Sequence, residues 1–249
     1  MHYLILALLF SSFSYLKTSG NCLSSLSLNP TSFYSPFFFS CHQNLKNSLT
    51  NFEISFDEFR DSLLVNHFPA PSFDQYTNFT SLVNTAISSK REAAMFLAQI
   101  IHESIGLRFK KEIACVETGC PGSYHITPGI GIPGRFYYGR GYIQLTWDFN
   151  YEAASFDLFN DNRLLVNPDL VAENEEISWS TAFWFWERHV ATDPNVKLGK
   201  FGASTNHING FLECRGENLD RARKRFEFYK KILKIFGLDE TPDESGCYN

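Results

Sequence analysis

Two glutamates that stand nine residues apart, Glu103 and Glu112, are the side chains of this sequence best suited to acid/base chemistry. Hydrolysis of a glycosidic bond needs one protonated carboxyl and one ionised carboxyl. Glu103 follows a run of apolar residues, so partial burial is expected to raise the pKa of its carboxyl and retain the proton of a general acid. Lys110 and Lys111 precede Glu112 and would favour the ionised form that a general base requires.

The spacing of this pair demands a turn. On one continuous helix, nine residues rotate the chain by about 900°, which would place Glu103 and Glu112 on opposite faces. Gly106 lies between them and makes a turn plausible. Glu117 is a second candidate for the base, and a charged surface loop is the alternative interpretation of the whole stretch.

The run YYGRGYIQLTW, residues 137–147, carries aromatic, amide and hydroxyl groups of the kind that contact sugars. If the run is extended, Gln144 and Thr146 lie on one face. The alternative is a buried β-ribbon with incidental polar residues. Residues 119–141 are rich in glycine and proline, which predicts a loop. The aromatic run at 183–186 could also form a sugar platform, but packing inside a helix is the preferred interpretation.

No metal or cofactor is expected. The segment GIGIPG, residues 129–134, matches a dinucleotide-binding fingerprint, but Pro128 and Pro133 bracket it and neither a strand nor a helix is predicted beside it. The sequence has no Cys-x-x-Cys pair, and His102 has no partner four residues later. A zinc site is therefore the weaker interpretation of the cysteines.

Composition and charge narrow the class of protein. The 249 residues are 44% hydrophobic and 20% charged, which is ordinary for a globular protein and sufficient for a large core. The formal net charge is -5, and no basic cluster is interleaved with aromatic residues. A nucleic-acid partner is therefore not expected. We predict one catalytic domain over residues 51–249.

The first twenty residues predict a secretory signal peptide, and hence an extracellular protein. An apolar stretch at 3–10 is followed by serines and Lys17, well short of the ~20 apolar residues that a membrane span needs. Cleavage is predicted after Gly20. Residues 21–50 lack a helical period and are assigned as an N-terminal arm of unknown role. A glycosylation sequon begins at Asn78.

Six cysteines, an even number, suit an oxidising compartment. Six cysteines admit about fifteen connectivities, so pairing by proximity is one possibility among several. That pairing joins Cys115 to Cys120, Cys214 to Cys247 and Cys22 to Cys41.

Helical periodicity dominates the chain after residue 55. Ser55 and Glu58 make a capping-box signature at the first helix, and an apolar stripe marks the last. Strand signals are few, so the domain is predicted to be mainly α. The predicted helices cover 55–67, 76–86, 90–104, 148–159, 177–188 and 219–236.

Five sequence blocks in order, spread between about residue 55 and residue 247, resemble the family 19 glycoside hydrolases, the plant-type and actinobacterial chitinases. The blocks are FLAQIIHES (96–104), YYGRGYIQLTW (137–147), NPDLV (167–171), AFWFW (182–186) and TNHINGFLEC (205–214).

The resemblance implies a lysozyme-like, two-lobed helical domain with a small β/loop region lining a central cleft. It also implies endo-hydrolysis, with inversion, of β-1,4-linked N-acetylglucosamine polymers, that is, chitin or chitin oligomers, and a monomer is expected. Glu103 would be the general acid, and Glu112 matches the base of the shorter, actinobacterial-type members. Thr146 stands where the family has a serine that helps to hold the attacking water.

The resemblance assigns further roles around this pair. Gln144, Asn150 and Asn209 match amides that contact substrate, and His102 and Trp147 are added as substrate-binding candidates. Arg225 and Glu213 match an ion-pair network that would orient the base.

The chain departs from the family pattern at several positions. Tyr142 replaces a proline, Phe149 replaces a frequent substrate-contacting tyrosine, and His207 and Phe211 alter the last block. These changes would shift the preference for substrate length. The short stretch at 114–136 predicts a shorter, more open cleft than plant enzymes have. The rival functions are a catalytically silent chitin-binding protein on the same fold and a lysozyme-type peptidoglycan hydrolase.

Overall fold

The computed structural model describes residues 52–249. The predicted signal peptide, the whole N-terminal arm (21–50) and the proposed Cys22–Cys41 pair lie outside the described residues. Within them the chain is mainly helical, which confirms the predicted fold class, and β pairing is limited to isolated bridges.

Ten α-helices, with one 3-10 turn and one π-helical turn, make up the regular structure of the described residues. The helices are α1 (Phe56–Leu64), α2 (Phe73–Ala86), α3 (Lys90–Glu103), α4 (Asp148–Phe159), α5 (Arg163–Val166), α6 (Leu170–Glu173), α7 (Glu175–Phe185), α8 (Pro194–Lys197), α9 (Phe201–Glu213) and α10 (Leu219–Ile235). The 3-10 turn is Ile113–Cys115, and the π-helical turn is Trp186–Val190.

The predicted helices are confirmed, with small shifts at their ends. Helix α4 has the predicted bounds, and α1 begins after Ser55, which forms the predicted capping box with Glu58. The helix predicted over 177–188 begins earlier, at Glu175, and its last turn is π-helical. The Ser55 cap satisfies the first free backbone N–H groups of α1, which explains why the start of this helix is readable in the sequence.

Helix α3 is the centre of the core. Every residue from Ala93 to Ile101 is fully buried. It packs against α9 and α10, while α2 packs against α7. The rings of Phe96 and Phe183 stack with their centroids 4.4 Å apart, and Trp179 and Trp186 are fully buried. The aromatic run at 183–186 is therefore core rather than a sugar platform.

Helix α9 has no counterpart among the predicted helices. Gly202, Asn206 and Gly210 lower its helix propensity, and Asn209 interrupts it with φ −146° and ψ 35°. Tertiary contacts stabilise the helix instead. A Cβ on Gly202 would lie 2.2 Å from the carbonyl oxygen of Glu244, so the C-terminal segment packs directly on it. The disulfide from Cys214 to Cys247 fixes that segment.

The chain reverses direction directly after α3. Gly106 adopts φ +72°, and its N–H donates to the carbonyl of Ile101 at 2.8 Å. A Cβ at Gly106 would lie 2.3 Å from the ring of Phe68. The predicted turn at Gly106 is therefore present, and only glycine fits it. Within the part of the chain that the structure describes, no helix combines the length and apolar character that a membrane span requires.

Candidate active site

Glu103 is the last residue of α3, and Arg225 of α10 contacts its Oε1 atom. Arg225 also donates to both oxygens of Glu213, from Nε at 2.7 Å and from Nη2 at 2.8 Å. Its third nitrogen, Nη1, donates to Gln99 at 2.9 Å. Arg225 and Glu213 are both 1% exposed. Burial opposes the charge of Arg225, but the two carboxylates outweigh it and raise the pKa of the guanidinium.

Two further side-chain amides extend this network. Asn209 Nδ2 donates to Glu213 Oε1 at 2.8 Å, directly from the kink in α9. Gln99 Nε2 donates to the hydroxyls of Ser204 and Thr205 at 2.8 and 2.9 Å. We call Glu103, Arg225, Glu213, Gln99 and Asn209 the Glu103 cluster. It joins α3, α9 and α10 through buried, charge-assisted hydrogen bonds.

His102 lies beside this cluster as a neutral imidazole. Burial is the main cause that lowers its pKa, and Arg225 and Lys224 add positive charge nearby, so the pKa falls to about 2. The ring packs beside Phe228, with centroids 6.3 Å apart. His102 thus adds no charge next to Glu103 at neutral pH.

Glu112 follows the turn and lies in a loop, where two donors hold its carboxylate. The hydroxyl of Tyr124 lies 3.0 Å from Oε1 and 2.8 Å from Oε2. The backbone N–H of Gly139 donates to Oε2 at 3.1 Å. Gln144 covers the same glycine, because a Cβ on Gly139 would lie 2.9 Å from Gln144 Oε1. We call Glu112, Tyr124, Gly139, Gln144 and Trp147 the Glu112 cluster.

Two expectations about the surroundings of Glu112 are wrong. Lys110 and Lys111 do not contact it, since Lys110 pairs with Glu175 and Lys111 pairs with Asp169 and Glu173. Both lysines therefore neutralise acids of the α6–α7 region.

The second wrong expectation concerns the ion-pair network. Arg225 and Glu213 were expected to orient the base, but Arg225 contacts Glu103, the candidate acid. No hydrogen bond or ion pair between the described residues joins the Glu103 cluster to the Glu112 cluster. Each candidate carboxyl therefore has its own set of partners.

The run at 137–147 is not an extended strand. Gln144 and Trp147 have positive φ angles, 55° and 74°, which break any alternation of faces. Buried Arg140 organises the loop instead: it stacks on the Tyr138 ring at 3.6 Å and donates to the carbonyl of Phe136 at 2.8 Å. The condition under which Gln144 and Thr146 would share one face is therefore not met, because contacts of Arg140 hold this run as a loop.

The polar candidate residues in and beside this loop donate hydrogen bonds to its backbone carbonyls. Thr146 donates its hydroxyl to the carbonyl of Gln144 at 2.6 Å, and Asn150 Nδ2 donates to the carbonyl of Thr146 at 2.9 Å. Gln144 Nε2 donates to the carbonyl of Gly141 at 3.0 Å. The N–H groups of both amides thus fix the loop, while their side-chain carbonyl oxygens can accept hydrogen bonds from a sugar.

An exposed aromatic surface adjoins Glu112. Trp147 is 38% exposed and Phe149 is 45% exposed, and their rings are nearly parallel, 9° apart, at 6.3 Å. Tyr124 meets Trp147 edge-on, with centroids 5.3 Å apart. Sugar rings pack on exposed aromatic faces of this kind, so Phe149 can offer a surface without the tyrosine hydroxyl.

The other departures from the family pattern have different surroundings. Tyr142 is fully buried, and its hydroxyl bonds with Glu175 and Gln75, so its role is packing between α2 and α7. His207 Nε2 lies 2.9 Å from Asp193. Phe211 is 79% exposed. Because Tyr142 is buried in this way, its side chain gives no support to the expected change in the preference for substrate length.

Glu117, the rival base, lies elsewhere. It is exposed and lines a surface groove of about 570 Å³ formed chiefly by residues 108–118. Among the described residues it makes neither a hydrogen bond nor an ion pair. A carboxylate without fixed donors has no defined orientation for proton transfer, so the geometry favours Glu112 over Glu117.

Two of the proposed disulfides are formed, Cys115–Cys120 and Cys214–Cys247. Glu112 and the first pair are also the one group of candidate metal ligands in the described part of the chain, but both thiols are consumed by the disulfide. Asn78 lies inside α2 and donates to the Asp74 carbonyl at 2.9 Å, rather than in a surface loop. Glycosylation there stays a prediction.

Three members of these clusters were not singled out from the sequence. Gln99 carried a detectable signal, because it is a polar residue in an apolar helical run and precedes Glu103 by one turn. Tyr124 and the backbone N–H of Gly139 lie in an aperiodic loop, where no local pattern predicts a long-range contact.

Comparison with known proteins decides the family. The sequence profile described as chitinase class I, glycoside hydrolase family 19, matches residues 68–199. The chain belongs to this family. It is 33% identical to chitinase 10 of Oryza sativa over 215 residues, which span 70% of this chain and 73% of that protein. An endochitinase of Arabidopsis thaliana is 38% identical over 68% of this chain but only 53% of its own length.

Solved structures of the family agree with the fold. Chitinase C from Streptomyces griseus has a TM-score of 0.54 at 30% identity, covering 82% of this chain and 78% of that chain. The class IV chitinase from Zea mays has a TM-score of 0.52 at 28% identity, covering 81% and 94%. The protein is thus a family 19 glycoside hydrolase with the expected lysozyme-like helical fold.

Proposed function

We propose that this protein is a secreted endochitinase that hydrolyses β-1,4-linked N-acetylglucosamine polymers with inversion at the anomeric carbon. One observation carries the mechanism: the two carboxyls have separate and unlike partners, a buried arginine for Glu103 and neutral donors for Glu112. Paired carboxyls in unlike surroundings are the usual arrangement for an acid and a base in one site. The family relationship supports chitin as the substrate.

Glu103 acts as the general acid. Arg225 occupies its Oε1 atom, which leaves Oε2 to carry the proton toward the glycosidic oxygen. Arg225 bridges Glu103 and Glu213, so one positive charge faces two carboxyls, and Arg225 and Glu213 remain as a neutral pair when Glu103 carries its proton.

Glu112 acts as the general base. Oε2 accepts from Tyr124 and Gly139, so Oε1 has the freer lone pair for a proton of the attacking water. Thr146 donates its hydroxyl proton to a backbone carbonyl, which leaves the oxygen of that hydroxyl as an acceptor for the same water. The threonine can therefore take the role that a serine has in the family.

The reaction balances in one displacement. Water loses a proton to Glu112, and its oxygen bonds to the anomeric carbon. The bond from that carbon to the leaving oxygen breaks, and the leaving oxygen takes the proton of Glu103. Attack from the face opposite the leaving group inverts the configuration. Glu103 ends ionised and Glu112 ends protonated, and exchange with solvent restores both.

Substrate binding in this proposal rests on the exposed side chains beside Glu112. Trp147 and Phe149 supply an apolar surface for sugar rings. Gln144 and Asn150 supply side-chain acceptors for hydroxyl or N-acetyl N–H groups, and Asn209 supplies one on the side of Glu103. The neutral imidazole of His102 can donate or accept there.

Glutamine substitutions test the catalytic pair. We expect Glu103→Gln and Glu112→Gln each to lower kcat on chitin oligomers by about 10²–10⁴-fold, the range that general acid or base catalysis contributes. Glu117→Gln is the matched control, and we expect it to stay within about twofold of the unchanged protein. Normal hydrolysis by Glu112→Gln, with loss in Glu117→Gln, would reverse the assignment of the base.

Secretion and the monomeric state complete the proposal. The apolar stretch at 3–10 and two formed disulfides support export to an oxidising compartment. Expression of the full chain in a eukaryotic secretion host should give a protein in the medium that begins at Asn21. Retention inside the cell with residues 1–20 still attached would contradict export. Light scattering should give the mass of a single chain.

A further inference from the structure

We propose that Tyr124 is a positioning residue for the general base: its phenol fixes the Glu112 carboxylate with Oε1 available to the attacking water. The inference rests on the proposed function, because it assumes that Glu112 is the base. It adds a residue to which neither the sequence pattern nor the family resemblance assigned a role.

The contacts of Tyr124 support this role. Its hydroxyl lies within 3.0 Å of both carboxylate oxygens, whereas Gly139 N–H reaches only Oε2. One phenol proton shared by both oxygens restricts rotation of the carboxyl group about its last bond. The backbone N–H makes the two oxygens inequivalent, and Oε1 retains more accepting capacity. A base that is held in this way presents one oxygen in a fixed direction.

The phenol of Tyr124 is protonated, and therefore a hydrogen-bond donor, at neutral pH. Burial, followed by the hydrogen bond to Glu112, raises the pKa of Tyr124 to about 12. The hydroxyl therefore keeps its proton near neutral pH and stabilises the ionised form of the carboxyl. It cannot replace Glu112 as a base under these conditions.

The position of Tyr124 is itself fixed on three sides. Its ring packs edge-on against Trp147. On the N-terminal side the chain is tied by the Cys115–Cys120 disulfide, and Ser123 N–H donates to the Cys120 carbonyl at 3.1 Å. On the C-terminal side the hydroxyl of Thr127 donates to buried Asp148 at 2.8 Å. The loop thus delivers the hydroxyl to Glu112 without help from substrate.

Tyr124→Phe tests the inference because it removes the hydroxyl and keeps the ring against Trp147. We expect kcat on chitin oligomers to fall by about 10–100-fold, the effect of losing a hydrogen bond to a charged group, while KM changes by less than about twofold. The acid limb of the pH profile of kcat/KM should move to higher pH, because the carboxylate loses a hydrogen-bond donor that favours its ionised form.

Tyr76→Phe is the matched control. Tyr76 is also half-buried, and its hydroxyl donates to the Ile54 carbonyl at 3.0 Å, within a part of the fold that shares no contact with Glu112. This variant should keep the kcat and the acid limb of the unchanged protein. The position of the limb does not depend on how much of a preparation is folded, so it separates positioning from stability.

The possible outcomes distinguish a failure of the role of Tyr124 from a failure of the proposed function. If Tyr124→Phe matches Tyr76→Phe in both kcat and acid limb while Glu112→Gln is inactive, the role of Tyr124 is overturned and the base assignment stands. If Glu112→Gln keeps its activity, the proposed function itself fails. A large fall in kcat with an unmoved acid limb would also contradict the inference, because a merely structural defect behaves that way.

Discussion

Glu103 ends a buried helix and shares an arginine with a second buried glutamate, whereas Glu112 lies in a loop and receives neutral hydrogen bonds from a phenol and a backbone amide. The first arrangement is part of the core, because Arg225 and Glu213 join α3, α9 and α10. The second is built near the surface beside exposed aromatic rings. Under the proposed function the two regions have different tasks: the Glu103 cluster supports both folding and catalysis, and the Glu112 cluster chiefly orients groups for catalysis.

Removing the buried cation should produce the largest loss of stability. Arg225→Met leaves two carboxyls without a counter-ion, and we expect the free energy of unfolding to fall by about 3–5 kcal/mol. Lys111→Met is the control, because Lys111 lies outside the Glu103 cluster. Its ion pair with Asp169 is partly exposed and contributes less than about 1 kcal/mol to stability. Urea unfolding of both variants measures the difference. Equal, small losses would show that the Glu103 cluster is not part of the stabilising core.

The two disulfides should separate stability from activity. Cys214–Cys247 closes the longer loop, with a sequence separation of 33 against 5 for Cys115–Cys120. Chain entropy then predicts losses of about 4 and about 2 kcal/mol when each pair is replaced by serines. At a temperature where both variants are folded, the Cys115→Ser/Cys120→Ser protein should lose the larger share of kcat, because its loop carries Tyr124. Thermal unfolding and oligomer hydrolysis measure the two properties, and the opposite ranking in activity would break the comparison.

His102 should make the stability of the Glu103 side depend on pH. Its pKa is lowered from 6.5 to about 2, so below pH 6.5 the unfolded chain binds a proton that the folded chain does not. Stability must therefore fall as the pH falls through this window, by up to about 1.4 kcal/mol per pH unit. His102→Asn should remove this part of the decline. Urea unfolding between about pH 7 and pH 4 checks it, and parallel curves for both proteins would contradict a buried neutral imidazole.

The sequence predicted the elements that are periodic or capped. Helix α4 and the start of α1 follow from apolar spacing and the Ser55 cap, and the turn after Glu103 follows from Gly106. Helix α9 was missed because its glycines and asparagines weaken the local signal and packing stabilises it instead. Local pattern could not have revealed that Arg225 reaches Glu103, since 122 residues separate them.

In the candidate site, too, some features could be predicted from the sequence and others could not. The two glutamates and the polar residues of the 137–147 loop are visible as residue types, and family resemblance named Arg225 and Glu213. The hydrogen bonds and ion pairs that these residues form could not be predicted from the sequence. The ion-pair network that was expected beside the candidate base contacts the candidate acid, and the donors to the candidate base are a loop tyrosine and a main-chain N–H. Gln144 and Trp147 of the 137–147 loop also adopt positive φ angles, which no periodic pattern encodes.

The stereochemistry of the first product tests the central claim most directly. Chitin hexamer is mixed with the enzyme in the NMR tube, and the anomeric protons of the new reducing ends are followed before mutarotation equilibrates them. If Glu103 protonates the leaving oxygen while Glu112 activates water on the opposite face, the α-anomer accumulates first. Initial accumulation of the β-anomer would mean retention, and it would contradict the assignment of an acid and a base to these two carboxyls.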